Sequence, residues 1–132
     1  MRLRVGQGVG KTETIKELAW MLAKQCLVFN CFEDLESTSV GRILKGVAQS
    51  GAWACFDYVD RVAADVISVS AVQIQTLLTA LACQLKRIMF EGSDIFLSSG
   101  CALFVTTNTR YHPPPILHLD QDEFDEVRCL FV

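Results

Sequence analysis

Apolar residues recur along this chain in two rhythms. In residues 12–24, Ile15, Leu18, Ala19 and Leu22 share one face at helical spacing. Residues 37–49 read as a second helix, closed by Ser50-Gly51. A third, longer helical pattern runs over 62–85 through Val66, Ile67, Val69, Ile74, Leu77, Leu78 and Leu81. Between these lie short unbroken apolar runs of the kind that form buried strands: 27–30, 52–57 (ending in an acid) and 101–106. Residues 1–5 could add a very short strand, followed by a glycine-rich turn at 6–10. Two further β-type runs flank Glu91-Gly92-Ser93-Asp94 and predict a hairpin. After Asn108 the periodicity is lost, and Pro113-Pro114-Pro115 excludes a helix there. Strands alternating with helices predict an α/β sandwich with a parallel sheet, the hairpin being an insertion.

Composition narrows the class without changing that picture. The chain has 132 residues, about one domain. At 51% hydrophobic and 20% charged it has enough apolar surface to fold. A net charge of −3 and the lack of a basic run argue against nucleic acid as a partner. The acidic stretch at 120–126 reads as a solvated segment. The six cysteines form no C-x-x-C pair, and most sit in apolar runs, so reduced thiols are expected. His112 and His118 are too few and too far apart for a zinc site. No run of about 18 apolar residues stands out, so no membrane partner is expected and the location is expected to be cytoplasmic.

The chemistry is concentrated in Gly6-Gln7-Gly8-Val9-Gly10-Lys11-Thr12. Glycines let successive backbone N–H groups close around phosphate oxygens, lysine meets the β- and γ-phosphates, and the following threonine helps to hold Mg²⁺. The helix that starts here points its positive end at the anion. Val5 stands where the standard pattern has its first glycine. Trp53-Ala54-Cys55-Phe56-Asp57 offers the second element, an acid at the end of a buried strand, where P-loop enzymes support the metal. An acid at a strand end is common in any α/β fold, and its weight comes from the phosphate loop. The third element is Leu103-Phe104-Val105-Thr106-Thr107-Asn108, whose terminal Asn could orient a water or touch the γ-phosphate.

In Gly10-Lys11-Thr12-Glu13-Thr14, in residues 23–31 and 48–57, in Phe90-Glu91-Gly92 and in residues 101–108, the chain resembles the first AAA+ module of dynein heavy chains. The resemblance covers residues 6–108, with the blocks in the same order. It implies a P-loop NTPase AAA+ large subdomain, a three-layer α/β sandwich that is incomplete here. The expected parts are a Walker A loop at 5–12, a Walker B strand at 53–58 and a sensor strand at 101–108, with 109–132 a divergent tail of a single partial domain. It implies that ATP is held by Gly6, Gly8, Val9, Gly10, Lys11, Thr12 and Glu13, that Mg²⁺ is held by Thr12 and Asp57, and that Asn108 is the sensor. The partners implied are other AAA+ modules of a heavy chain and dynein intermediate and light chains, with microtubules reached only through parts absent here. The location implied is the cytoskeleton, including the ciliary axoneme.

The departures bear on turnover. Tyr58 occupies the position of the family's catalytic glutamate, and a phenol with a reference pKa of about 10 is a poor base at neutral pH. Asp60 falls where the family has Asn and is not expected to substitute. Thr109-Arg110 replaces Pro-Gly, and Val132 stands in place of an arginine. The expected function is an ATP-binding module of a dynein-like motor with impaired hydrolysis. The alternative is a degenerate, truncated paralogue acting only as a protein-interaction fragment.

Overall fold

In the computed structural model, residues 10–106 and the backbone of 129–131 are described. Three strands build the centre: β1 (Cys26–Asn30), β2 (Trp53–Asp57) and, after a hairpin of β3 (Arg87–Phe90) and β4 (Ser93–Phe96), β5 (Ala102–Val105). With β6 (Cys129–Phe131) they form a sheet in the order β1-β2-β5-β6, every adjacent pair parallel. All five residues of β2 are buried, as an unbroken apolar run requires when both faces of a parallel sheet are covered. β1 lies at the edge and is only partly buried.

Helices cover both faces, which gives the three layers. On one face lies α1 (Lys11–Met21), whose Ile15 and Ala19 are one turn apart and pack on Trp53, Cys55 and Phe104. On the other lie α2 (Ser37–Ser50) and α3 (Ala64–Ala82), packed on each other. Val40, Leu44, Val47 and Ala48 of α2 and Leu77, Leu78 and Ala80 of α3 form the main core with Ala54, Phe56 and Leu103. The hairpin has its own two-stranded sheet, and Ile88, Phe90 and Ile95 close this core from the side. α2 ends at Gly51, whose φ of 74° is left-handed and whose N–H bonds the Val47 carbonyl at 3.1 Å. A Cβ there would also lie 2.5 Å from Ser98 Oγ, so a larger residue would have to displace that hydroxyl and accept the left-handed backbone as well.

Three expectations need correction. α1 stops at Met21 and not at 24, because Ala23 turns left-handed (φ 52°) without a glycine or proline to announce it. α3 has 19 residues and by length and composition alone could span a bilayer, against the expectation that no run does. In this fold one face of it packs, with Ile67, Leu77 and Leu78 buried and contacts to α2 and β3, while Val69 and Val72 on it are exposed. The tail, read as lacking periodicity, supplies β6, which pairs Leu103–Val105 with Cys129–Phe131. Three residues are too few to show an alternation, and the pairing comes from the open side of β5.

Cys55 sits at the centre of the sheet with no exposed surface, and burial, helped by the nearby Asp57 carboxylate, pushes its thiol up to about 12. Above the ordinary value of 9.0 the unfolded chain releases this proton while the folded chain retains it. The contribution to stability is therefore full below pH 9.0 and declines as the pH rises toward about 12. Urea midpoints taken below and above pH 9.0 are expected to fall less in Cys55→Ala than in the parent; parallel slopes would refute this. Exposed Cys83 is expected to be alkylated in the native state while Cys55 is protected.

Candidate functional site

Ligands of parallel α/β sheets gather beyond the carboxyl ends of the strands. Here those ends are in step. Asn30 pairs with Asp57 and Phe56 with Val105, which leaves Thr106 beside Asp57. The Cys31 N–H donates to the Asp57 carbonyl at 2.9 Å and the Thr106 N–H to the Phe56 carbonyl at 2.9 Å, extending both pairings past the strands.

The N-terminus of α1 comes to this edge. Gly10 precedes the helix with φ 71°, ψ 30°, and its carbonyl accepts from the Thr14 N–H at 2.8 Å and the Thr14 hydroxyl at 2.9 Å. The left-handed backbone at Gly10 calls for glycine, and among the described residues no atom lies within 4 Å of a Cβ built there. Lys11 and Thr12 follow as the first helical residues. The Thr12 hydroxyl donates to Asp57 Oδ2 at 2.8 Å across 45 residues of sequence. Glu13 turns to solvent, where it pairs with Lys16 at 2.8 Å and raises the pKa of that lysine.

Asp57 is buried, 9% exposed, and its other oxygen, Oδ1, accepts from the Thr106 hydroxyl. The Tyr58 N–H in turn donates to Thr106 Oγ1 at 3.3 Å, and the Val59 N–H to the Thr106 carbonyl at 3.2 Å. Tyr58 adopts φ 61°, ψ 44°, an uncommon left-handed conformation for a bulky residue, and leads into a 3₁₀ turn, Val59–Arg61. The Arg61 guanidinium carbon lies 4.6 Å from the Tyr58 ring centroid, a cation–π contact that holds the ring.

Of the residues singled out from the sequence, Gly10, Lys11, Thr12, Asp57 and Tyr58 fall at this one edge. Gly6, Gly8, Val9, Asn108, Thr109, Arg110 and Val132 lie outside the described residues, as does the side chain of Asp60. Thr106 was missed. Its signal was available: a hydroxyl residue ending the apolar run 101–106, as Asp57 ends 52–57.

The oxygens of Thr12 and Asp57 are hard donors of the kind Mg²⁺ takes. Among the described residues no group of three or more His, Cys, Asp or Glu side chains could form a metal cage. That donor set suits an ion that is completed by phosphate oxygens and water, which is how Mg²⁺ is commonly held.

Residues 5–115 match the family described as the hydrolytic ATP binding site of the dynein motor region. Dynein axonemal heavy chain 3 of Mus musculus is 50% identical over 104 residues, and dynein axonemal heavy chain 6 of Homo sapiens is 51% identical over 104 residues. Dynein axonemal heavy chain 10 of Homo sapiens is 48% identical over the same length. Each alignment covers 79% of this chain and 2% of the relative, so the chain spans about one fiftieth of those proteins. With the phosphate-loop sequence, the parallel sheet and the Thr12–Asp57 contact in place, the chain belongs to the family of the dynein hydrolytic ATP-binding region.

Proposed function

We propose that the chain binds Mg-ATP as the ATP-binding module of a dynein heavy chain-like microtubule motor, and that Tyr58 makes its hydrolysis slow. The observation that carries the binding is the Thr12–Asp57 hydrogen bond, which puts the start of α1 against the carboxyl end of β2. In this reading Gly6, Gly8, Val9 and Gly10 present backbone amides to the phosphates, and Lys11 offsets their charge. Glu13 lies in the same first turn. Thr12 gives its proton to Asp57 and keeps its oxygen lone pairs for the metal. Mg²⁺, when bound, neutralises charge on the β- and γ-phosphate oxygens. Asn108 would contact the γ-phosphate or its water.

The names of the relatives, axonemal dynein heavy chains, support an axonemal, cytoskeletal setting; in this reading other AAA+ modules of a heavy chain and dynein intermediate and light chains are the neighbours. Microtubule contact would be made by other parts of such a heavy chain. A second reading, a protein-interaction fragment in which nucleotide plays no part, is favoured by the exposed Trp20, Met21 and Leu22 at the end of α1.

Titration of a fluorescent ATP analogue with Mg²⁺ separates the two. Lys11→Ala removes a charge-assisted contact to phosphate and is expected to weaken binding roughly 10- to 100-fold. Equal affinity for parent and variant, or no binding by either, would favour the interaction fragment.

A further inference from the structure

Thr106 is 3% exposed and makes hydrogen bonds to four consecutive residues of the neighbouring chain segment. Its N–H donates to the Phe56 carbonyl, its hydroxyl to Asp57 Oδ1, and its two oxygens accept from the Tyr58 and Val59 N–H groups. The direction of the hydroxyl proton follows from this set. Tyr58 brings a donor to Thr106 Oγ1, so the hydroxyl hydrogen is turned away from that amide and toward Oδ1 of Asp57.

An aspartate carboxylate is otherwise loosely oriented, because its terminal torsion is broad and two-fold. With Oδ1 held by Thr106, Oδ2 is the oxygen left facing Thr12. We infer that Thr106 is a positioning residue for the magnesium of the bound nucleotide: its hydroxyl fixes the plane of the Asp57 carboxylate, and through it the Thr12 hydroxyl. The inference rests on the Mg-ATP reading above and adds a residue that touches neither nucleotide nor metal.

Removing the hydroxyl takes a partner from the buried Asp57 Oδ1 and from the part-buried Tyr58 N–H, and lets the carboxylate rotate. Outer partners of metal-binding side chains typically cost 10- to 100-fold in metal affinity when lost. The effect belongs to the metal and not to the nucleotide in general.

The test is the affinity of the full chain for fluorescent ADP, measured with excess Mg²⁺ and with EDTA, in the parent and in Thr106→Val, Thr106→Ala and Thr106→Ser. The readout is the ratio of the two affinities, with thermal melts run alongside. Thr106→Val and Thr106→Ala differ in volume but both lack the hydroxyl. Each is expected to lower the Mg²⁺ enhancement by roughly 10- to 100-fold while EDTA affinity stays near the parent's. Thr106→Ser is expected to keep it. If Thr106→Val does not fold, Thr106→Ala against Thr106→Ser carries the comparison. A purely structural role would weaken binding equally with and without metal, leaving the ratio at the parental value, and that result overturns the inference. Loss of the ratio in Thr106→Ser overturns it as well. A parent that binds nucleotide with no Mg²⁺ enhancement removes the Mg-ATP reading and the inference together, whereas a parental enhancement that survives in Thr106→Ala removes the inference alone.

Discussion

In single-turnover experiments Tyr58→Glu is expected to hydrolyse ATP faster than the parent chain, and Lys11→Ala not measurably at all. A positioned general base contributes roughly 10² to 10⁴ in rate, and a carboxylate is a far better proton acceptor than a phenol hydroxyl. The gain is expected near the low end of that range, for a reason visible at the site. The Arg61 guanidinium carbon sits 4.6 Å from the Tyr58 ring centroid, close enough for a glutamate placed there to form an ion pair with Arg61. A carboxylate so engaged is turned from the phosphates and is less basic. Arg61→Ala in the Tyr58→Glu background is therefore expected to raise the rate further. Robust, Lys11-dependent turnover by the parent would show that Tyr58 is no obstacle.

Phe104→Ala is expected to be the most damaging single change to the fold. Phe104 is 1% exposed and stands at the middle of the layer beneath α1, its ring 5.0 Å from that of Trp53 and packed with Ile15, Ala19 and Cys55. Truncating a buried phenylalanine costs about 3–5 kcal/mol, against a total stability of about 5–15 kcal/mol for a native domain. A thermal melt followed by circular dichroism is expected to shift down by more than about 10 °C. Phe104→Leu, which keeps most of the volume, is expected to shift far less. A loss of only a few degrees in Phe104→Ala would mean that α1 is not firmly packed on the sheet.

How much of this was readable beforehand follows from what each element needs. The central strands were legible because a strand buried on both faces must be an unbroken apolar run, and 27–30, 52–57 and 101–106 are such runs. The hairpin was legible from Glu91-Gly92, which supplies two successive left-handed residues, at φ 48° and 69°. The meeting of Thr12 with Asp57 was legible only as chemistry, from the loop sequence and an acid at a strand end. For Thr106 the sequence carried a signal, a hydroxyl residue at the end of an apolar run, but not its pairing with Asp57, which depends on the register of β2 against β5. The end of α1 was missed because Ala23 carries no stop signal, and β6 because its three residues depend on a partner strand.

The distribution of hydrogen bonds around Asp57 also says where the site can give. Residues 56–59 are stitched to Thr106 by four bonds, so the tips of β2 and β5 move as one plate. The start of α1 is tied to that plate by the Thr12–Asp57 bond, and further along the helix Ile15 and Ala19 pack on Trp53, Cys55 and Phe104 of the same two strands. Breaking the Thr12–Asp57 bond would therefore free the first turn of α1 while the plate and the packed middle of the helix keep their places, which makes that bond a latch.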